Sequence, residues 1–124
     1  MSKAPIIIAV LILFPLSEVS ADGDPAMGKR QFAPCSACHT VEAGGPNKVG
    51  PNLHGIIGQT AGLREDFVYS EALKASGVVW TEENLRAWIK KPMDFIAGSK
   101  MPFGGYASEK IQNNIIAYLK EATQ

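Results

Sequence analysis

The chain has 124 residues, with 12 basic and 12 acidic side chains and a formal net charge of zero. This balance gives no indication of a nucleic-acid-binding protein, which usually carries a basic surface. Two cysteines are too few for a structural zinc site, which typically has four Cys or His ligands.

The N-terminus has the pattern of a secretory signal peptide. Lys3 precedes an apolar run over residues 6–14, and the small residues Ser20 and Ala21 follow it. The run is about half of the roughly 20 residues that span a bilayer. We therefore predict a signal peptide over residues 1–21, cleaved after Ala21, a single domain over 22–124 and a periplasmic location. The alternative is an uncleaved N-terminal membrane anchor.

The first predicted helix begins at Asp24, an N-cap residue, followed by proline at the first helical position. We expect it to run to about Ala33 and to stop before a proline. Met27, Gly28 and Phe32 are spaced to share its inner face. Glycine within a helix costs about 1 kcal/mol relative to alanine, which suggests that another backbone passes close to residue 28.

The motif CSACH follows at residues 35–39 and has the spacing of a c-type haem attachment site. Cys35 and Cys38 lie about one helical turn apart, so both thiols can add to the vinyl groups on one edge of a porphyrin. His39 then lies beneath the ring, where its imidazole can take an axial position on the iron. The main alternative is a dithiol redox site, but no βαβ pattern precedes it. A structural disulfide would leave the histidine unexplained.

Residues 40–66 are rich in glycine and proline and predict a long loop. Such loops in small domains are usually functional or wrapped around a ligand. Three further helices are predicted from their caps and apolar stripes. The first runs from Tyr69 to Ser76 and is closed by Gly77; the second starts after Thr81, carries Leu85, Trp88 and Ile89 and ends before Pro92; the last starts after Ser108 and carries Ile111, Ile115, Tyr118 and Leu119. We predict an all-α fold of four or five helices with long loops.

The occupant of the second axial position decides what such a haem can do, because a vacant iron can bind small molecules. Met101 is the best placed candidate, in the loop sequence GSKMPF at residues 98–103. Met27 is expected to pack in the core, and Met93 to be partly exposed at a helix end. His54 is expected to be a loop histidine bonded to nearby backbone. From the residues alone, Met101 could also be an ordinary core methionine.

These motifs together resemble the small class I c-type cytochromes, in particular the mitochondrial-like cytochromes c of bacteria. The resemblance is carried by CSACH at 35–39, GPNLHG at 50–55 and Gly77 with Trp80. It continues through GSKMPF at 98–103 and IAYLK at 116–120. Their order and approximate spacing match the family over nearly all of residues 24–124.

The resemblance implies a small cytochrome c fold wrapped around one covalent haem c, with His39 and Met101 as axial ligands. It implies that the Pro51 carbonyl accepts a hydrogen bond from His39, and that Tyr69 and Trp80 bond to a haem propionate. It also implies that Gly28 and Phe32 pack on the last helix, near Ile115 and Tyr118.

Two positions depart from the family pattern. Gln59 stands where many relatives have an arginine beside a propionate, and Arg64 is nearby in sequence. Trp88 stands where relatives often have a tyrosine that bonds to the methionine sulfur.

The resemblance implies a soluble one-electron carrier rather than an enzyme. Its transient partners would be an oxidase, a reaction centre, a bc1-type complex or a periplasmic dehydrogenase. Lys48, Lys90 and Lys100 are candidates for the docking face. The alternatives are a fixed haem subunit of a membrane respiratory complex, and a peroxidase or gas-binding protein with a labile sixth ligand.

Overall fold

The computed structural model describes residues 1–6, 8–13 and 23–124. Within these ranges the chain forms six helices and no β-strand: α1 Pro25–Gln31, α2 Ala33–Ser36, α3 Glu71–Ala75, α4 Glu82–Lys90, α5 Pro92–Phe95 and α6 Glu109–Ala122. The all-α prediction is confirmed, but the count of four or five was too low, because α2 and α5 are single turns.

The predicted signal peptide cannot be compared with the fold in full. Residues 14–21, which include the proposed cleavage position after Ala21, lie outside the described residues, as does residue 7. None of the helices in the described ranges is both long enough and apolar enough to cross a membrane.

Helix α1 begins as predicted and ends earlier. The Asp24 carboxylate accepts hydrogen bonds from the backbone N–H groups of Ala26 and Met27. The helix ends at Gln31 instead of Ala33, and α2 begins directly after Phe32. The expected stop before Pro34 was therefore wrong. Proline lacks an N–H but fits the first turn of a helix, so Pro34 lies inside α2.

Helices α1 and α6 pack directly against each other. A Cβ on Gly28 would overlap the Asn114 carbonyl oxygen, which accounts for the glycine predicted to face another backbone. The rings of Phe32 and Tyr118 lie 5.3 Å apart between their centroids. Ile115 is almost completely buried at the same interface, with 1% of its surface exposed.

Met27 does not share this inner face, which corrects the sequence prediction. Its side chain is 39% exposed, whereas Gly28 and Phe32 are buried. Adjacent helical positions differ by about 100° around the axis, so Gly28 can face α6 while Met27 points away. The Met27 sulfur accepts a hydrogen bond from Arg30 Nη1 at 3.8 Å.

Residues 40–70 form a long non-helical segment, as expected. A single antiparallel bridge joins Thr60 to Val79 and ties this segment to the chain before α4. Helix α3 begins at Glu71, two residues later than predicted, because the Ser70 hydroxyl caps it by accepting from Leu73 N–H. Gly77 follows α3 with a positive φ of 66°.

Helix α4 is capped by Thr81 as predicted, and Leu85 and Ile89 are buried on its inner face. Pro92 ends α4 and also opens the short helix α5, which the sequence analysis did not predict. Met93 on α5 is 50% exposed, as expected.

The last helix, α6, begins after Ser108, whose hydroxyl accepts a hydrogen bond from the Ile111 backbone N–H. Its buried face includes two polar residues that the apolar stripe did not reveal. Gln112 donates to the Tyr106 carbonyl at 2.6 Å, and Asn114 donates to Gln31 at 3.1 Å. These bonds satisfy amide groups that would be costly to bury unpaired.

Candidate haem site

The predicted haem ligands line one cavity. It has a volume of about 630 Å³, within the roughly 300–1,000 Å³ typical of small-molecule and cofactor sites. Cys35, Cys38 and His39 line it from the end of α2, and Met101 lines it from the loop before α6. Much of the remaining lining is apolar and comes from the helices and the 40–70 segment, including Phe32, Leu73, Leu85, Ile89, Ile115 and Leu119.

The two cysteines lie on one helical turn. Cys35 is inside α2, and its carbonyl accepts hydrogen bonds from the backbone N–H groups of Cys38 at 3.0 Å and His39 at 2.9 Å. Both thiols are half-buried and are not joined in a disulfide. Burial raises the pKa of Cys35, with a smaller contribution from neighbouring Cys38. A reactive dithiol needs a lowered pKa, so this environment disfavours the dithiol redox interpretation.

His39 is held by the backbone of the following loop. Its Nδ1 lies 2.7 Å from the Pro51 carbonyl oxygen, as the resemblance implied. A carbonyl can only accept, so Nδ1 carries the proton and Nε2 keeps a free lone pair. Burial lowers the pKa of His39, and Lys48 lowers it further, although the Pro51 carbonyl opposes this. The neutral imidazole is the form that binds a metal.

Gly50 makes this arrangement possible. A Cβ at position 50 would overlap the His39 ring, with Nδ1 at 2.7 Å and Nε2 at 2.8 Å. The Gly50 backbone N–H also donates to the Cys38 carbonyl at 2.9 Å. The glycine therefore lets the loop lie directly against the imidazole and fixes the position of the ring.

Met101 lies in a loop that is anchored to α4. The Tyr106 backbone N–H donates to the Ile89 carbonyl at 2.8 Å, and a Cβ on Gly105 would overlap the Lys90 carbonyl oxygen. Gly98 has a φ of 86°, which turns the chain into this loop. Met101 itself is half-buried. The loop thus brings a thioether to the cavity from a segment far from CSACH in sequence.

The competing ligand candidates are placed differently. Met101 is the one methionine among the described residues that line the cavity, so neither Met27 nor Met93 contributes there. His54 does line the cavity, but its Nδ1 lies 3.3 Å from the Val41 carbonyl oxygen. This backbone contact confirms the expectation of a loop histidine bonded to nearby backbone.

Tyr69 and Trp80 both line the cavity, as do the two departures from the family pattern, Gln59 and Trp88. Trp80 is buried, and its ring lies 5.4 Å from that of Trp88 between centroids. The Tyr69 ring packs edge-on against Phe67 at 4.9 Å. Burial raises the pKa of Tyr69, and nearby Arg64 opposes that effect. The Tyr69 hydroxyl is therefore protonated at neutral pH and able to donate.

Sequence reasoning quoted Asn52 as part of a motif but did not predict its role. Its Nδ2 donates to Thr40 Oγ1 at 2.7 Å and to the Glu42 carbonyl at 2.9 Å. Its Oδ1 accepts from the His54 backbone N–H at 3.0 Å. Asn52 directly follows Pro51, so these bonds fix the carbonyl that orients His39. The signal available in the sequence was an asparagine in a glycine- and proline-rich loop, where amide side chains commonly replace missing backbone bonds.

The residues present fit a covalent haem. Two thiols on one turn, an imidazole with a free Nε2 and a thioether line a single, largely apolar cavity. Two thiols that can bond to the porphyrin edge, together with an imidazole and a thioether that can take the axial positions on the iron, are the groups that hold a c-type haem.

Comparisons with known proteins agree with this fit. The sequence model described as cytochrome c matches residues 25–123. Cytochrome c2 of Rhodospirillum rubrum is 42% identical over 120 residues, covering 88% of this chain and 88% of that protein. Cytochrome c2 of Agrobacterium tumefaciens is 46% identical over 101 residues, covering 79% and 91%. The solved structure of cytochrome cH from Methylobacterium extorquens superposes with a TM-score of 0.75 at 43% identity, covering 80% and 99%.

Fold and cavity together define an all-α protein built around one haem. The chain belongs to the cytochrome c family, as a class I c-type cytochrome, and it carries one covalently attached haem c. It acts as an electron carrier that contacts redox partners transiently.

Proposed function

We propose that this chain is an exported, freely diffusing one-electron carrier whose haem is bonded to Cys35 and Cys38 and ligated by His39 and Met101. The observation that supports this most strongly is the shared cavity. The motif at residues 35–39 and Met101 are about 60 residues apart in sequence, yet both line it. With both axial positions filled by side chains, the site favours electron transfer over binding of a substrate at the iron.

The protein residues fix the site in both oxidation states. The haem iron, when bound, supplies the one-electron chemistry. His39 is held through Nδ1 by the Pro51 carbonyl, which orients Nε2 and makes the imidazole a better donor. The Met101 thioether is a soft ligand that favours the reduced metal. The apolar lining excludes water, and it therefore disfavours the additional charge of the oxidised state.

The ligand assignment is tested by the absorption spectrum of the oxidised holoprotein. Methionine sulfur on ferric haem gives a weak long-wavelength band. We expect this band in the wild type and its loss in Met101→Ala. Met93→Ala is the matched control, because Met93 is a half-exposed methionine outside the cavity. A band that survives Met101→Ala, or that disappears in Met93→Ala, would contradict the assignment.

The proposal includes a signal peptide over residues 1–21, a haem domain over 22–124 and a periplasmic location. It is supported by the charged, apolar and small-residue pattern of the N-terminus. The intact mass of the exported holoprotein tests it. Cleavage after Ala21 with one added haem supports the free carrier, whereas a retained N-terminus favours the fixed subunit of a membrane complex.

The partners we propose are an oxidase, a reaction centre, a bc1-type complex or a periplasmic dehydrogenase. Lys100 lines the cavity, and Lys48 lies near the attachment turn, where its Nζ donates to the Ser36 carbonyl at 2.9 Å. Lys90 is exposed at the end of α4. Such lysines would steer a brief encounter by charge. Replacing Lys48 and Lys100 with glutamine should slow association at low salt and change it little at high salt.

A further inference from the structure

The permanently charged side chains that line the cavity are all positive. Among the described residues that form it there is no Asp or Glu, and the permanent charges are those of Arg64 and Lys100. A haem carries two carboxylates, and an anion placed against a largely apolar cavity needs a cation or several hydrogen bonds. Gln59, at the position where the family pattern has an arginine, brings no charge. The two cations of the lining, Arg64 and Lys100, are therefore the candidates for a countercharge.

Arg64 is fixed in one orientation by a neighbouring carboxylate. Its Nε and Nη2 donate to the two carboxylate oxygens of Asp66, both at 2.9 Å. The Arg64 side chain is 36% exposed and that of Asp66 is 59% exposed. A guanidinium has five N–H groups, and this paired contact uses two of them. Both N–H groups of Nη1 and one of Nη2 remain available to a second anion.

The loop that carries Arg64 is tied to the haem-ligand side of the cavity. Asn47 Nδ2 donates to the Asp66 carbonyl at 3.0 Å, and Asn47 Oδ1 accepts from the Asn52 backbone N–H at 2.8 Å. Asn52 directly follows Pro51, whose carbonyl holds His39. A chain of hydrogen bonds therefore connects the Arg64–Asp66 pair to the segment that orients the proposed axial histidine.

Arg64 also shares its side of the cavity with other hydrogen-bond donors. Burial raises the pKa of Tyr69, whereas a hydrogen bond to the Arg64 backbone and, to a smaller extent, the charge of the Arg64 guanidinium lower it. The Trp80 backbone N–H donates to the Gln59 carbonyl at 2.8 Å, and this bond ties the segment around residue 60 to the residues just before α4. Lys100, by contrast, is an exposed point charge on the loop of Met101. A planar guanidinium matches a carboxylate better than an ammonium does.

We propose that Arg64, oriented by Asp66, is the cation of this chain that pairs with a haem carboxylate. This inference rests on the proposed function and extends it. In this role the Arg64–Asp66 pair differs from an ordinary exposed ion pair, which contributes little. The guanidinium would bridge two carboxylates, that of Asp66 and that of the haem, and its charge would act on the iron with partial screening by solvent, since the side chain is 36% exposed.

The reduction potential of the holoprotein tests this role. A cation near the iron disfavours the oxidised state, so Arg64→Gln should lower the potential. The matched control is Arg30→Gln, which removes the same charge from an exposed arginine on α1 that does not line the cavity. We expect a downward shift several-fold larger for Arg64→Gln than for the control.

A second readout is the pH dependence of the potential. Loss of Arg64 makes the haem carboxylate easier to protonate, so the Arg64→Gln potential should change with pH more steeply than that of the wild type. Asp66 and Tyr69 face Arg64, and His54 and Lys100 line the same cavity. His54→Gln therefore serves as the control for the second imidazole of the cavity, and it should not produce the added slope. If Arg64→Gln does not retain haem, Arg64→Lys replaces it: an ammonium does not bridge two carboxylates as a planar guanidinium does, so its potential should still fall below that of Arg30→Lys.

Equal potentials and equal pH slopes for Arg64→Gln and Arg30→Gln would overturn this proposal. That result is distinguishable from failure of the proposed function. If the wild type lacks the ferric methionine band, the ligand assignment fails. If the band is present and Arg64→Gln behaves as the control does, only the role of Arg64 fails.

Discussion

The α1–α6 pair and the 40–70 segment are held together by different interactions. The two helices bury Phe32 and Ile115 against each other, and Gly28 lets their backbones touch. The 40–70 segment has no helix and is held by side-chain hydrogen bonds such as those of Asn52. Many of its apolar side chains face the cavity, including Leu53, Ile56 and Phe67.

The difference indicates which part of the fold depends on the cofactor. The helical pair has contacts of its own, at Gly28 and between the rings of Phe32 and Tyr118, in addition to the side chains that it contributes to the cavity lining. Leu53, Ile56 and Phe67 of the 40–70 segment are only partly buried by protein and line the cavity. We therefore expect the haem to supply the missing half of their packing, which a small domain can hardly do without.

Removal of the haem should have the largest effect. In a chain with Cys35→Ala and Cys38→Ala, the apolar cavity lining would be left to water. We expect this variant to lack a cooperative unfolding transition. It would thus lose the whole free energy of unfolding, which is about 5–15 kcal/mol for a typical domain. Amide hydrogen exchange should show complete loss of protection in residues 40–70, with more protection left in α1 and α6. Equal protection in both regions would contradict the comparison.

Gly28→Ala tests the helical pair. The new methyl group would overlap the Asn114 carbonyl and lie 2.9 Å from Tyr118 Cβ, so the helices would have to separate. We expect a loss of about 3 kcal/mol in the free energy of unfolding, measured by denaturant titration of the holoprotein. Gly104→Ala is the matched control, because a Cβ there meets nothing within 4 Å. It should change stability by less than about 1 kcal/mol.

Asn52→Ala tests the loop segment. It removes two donated hydrogen bonds and leaves the buried Thr40 hydroxyl without this donor. We expect a loss of about 2 kcal/mol in unfolding free energy, by the usual cost of such groups. Asn84→Ala, which removes one exposed bond to the Val79 carbonyl, should cost less than about 1 kcal/mol. Similar losses for the two variants would show that the loop network does not stabilise the fold.

The smallest effect should come from Asp66. Arg64 holds the pKa of Asp66 below the ordinary value of 3.8. A carboxyl whose pKa is lowered by folding contributes stability above its unfolded pKa and loses it as pH falls through the folded pKa. Asp66→Asn should therefore reduce stability slightly at neutral pH, and the difference should shrink as pH falls below the ordinary value of 3.8 and through the lowered pKa of the folded state. The effect is small because the carboxylate is largely exposed and therefore screened by solvent. Unfolding curves of the wild type and of Asp66→Asn at pH 7 and pH 3 measure this difference. A larger loss of stability at pH 3 than at pH 7 would contradict the predicted pH dependence.

The sequence predicted the helices well because their signals are local. Asp24, Thr81 and Ser108 cap the helices that they were expected to cap. Gly28 lies against another backbone, as the unfavourable helix propensity of glycine at that position suggested. The errors also have local causes. Pro34 was interpreted as a stop although proline fits a first turn, and Met27 was assigned to a face that only its neighbours occupy.

The site was predictable only in part. CSACH identified one side of the cavity through its spacing, and the loop GSKMPF made Met101 the best placed second ligand. The family resemblance strengthened that prediction and supplied Pro51. The hydrogen bonds of Asn47 and Asn52 could not be predicted, because residues 40–70 show no hydrophobic periodicity from which neighbouring side chains could be inferred. The sequence does not reveal that Asn47 joins Asp66 to Asn52 or that Arg64 lines the cavity. Both features depend on how separate parts of the loop segment meet in the fold.

The central claim is that both axial positions are filled by side chains, His39 and Met101, so that the protein carries electrons and binds nothing at the iron. Exposure of the reduced holoprotein to carbon monoxide tests this most directly. We predict an unchanged absorption spectrum for the wild type, and a new carbon monoxide complex for Met101→Ala. Ready binding of carbon monoxide by the wild type would contradict the account and indicate an open iron suited to peroxide or nitric oxide chemistry.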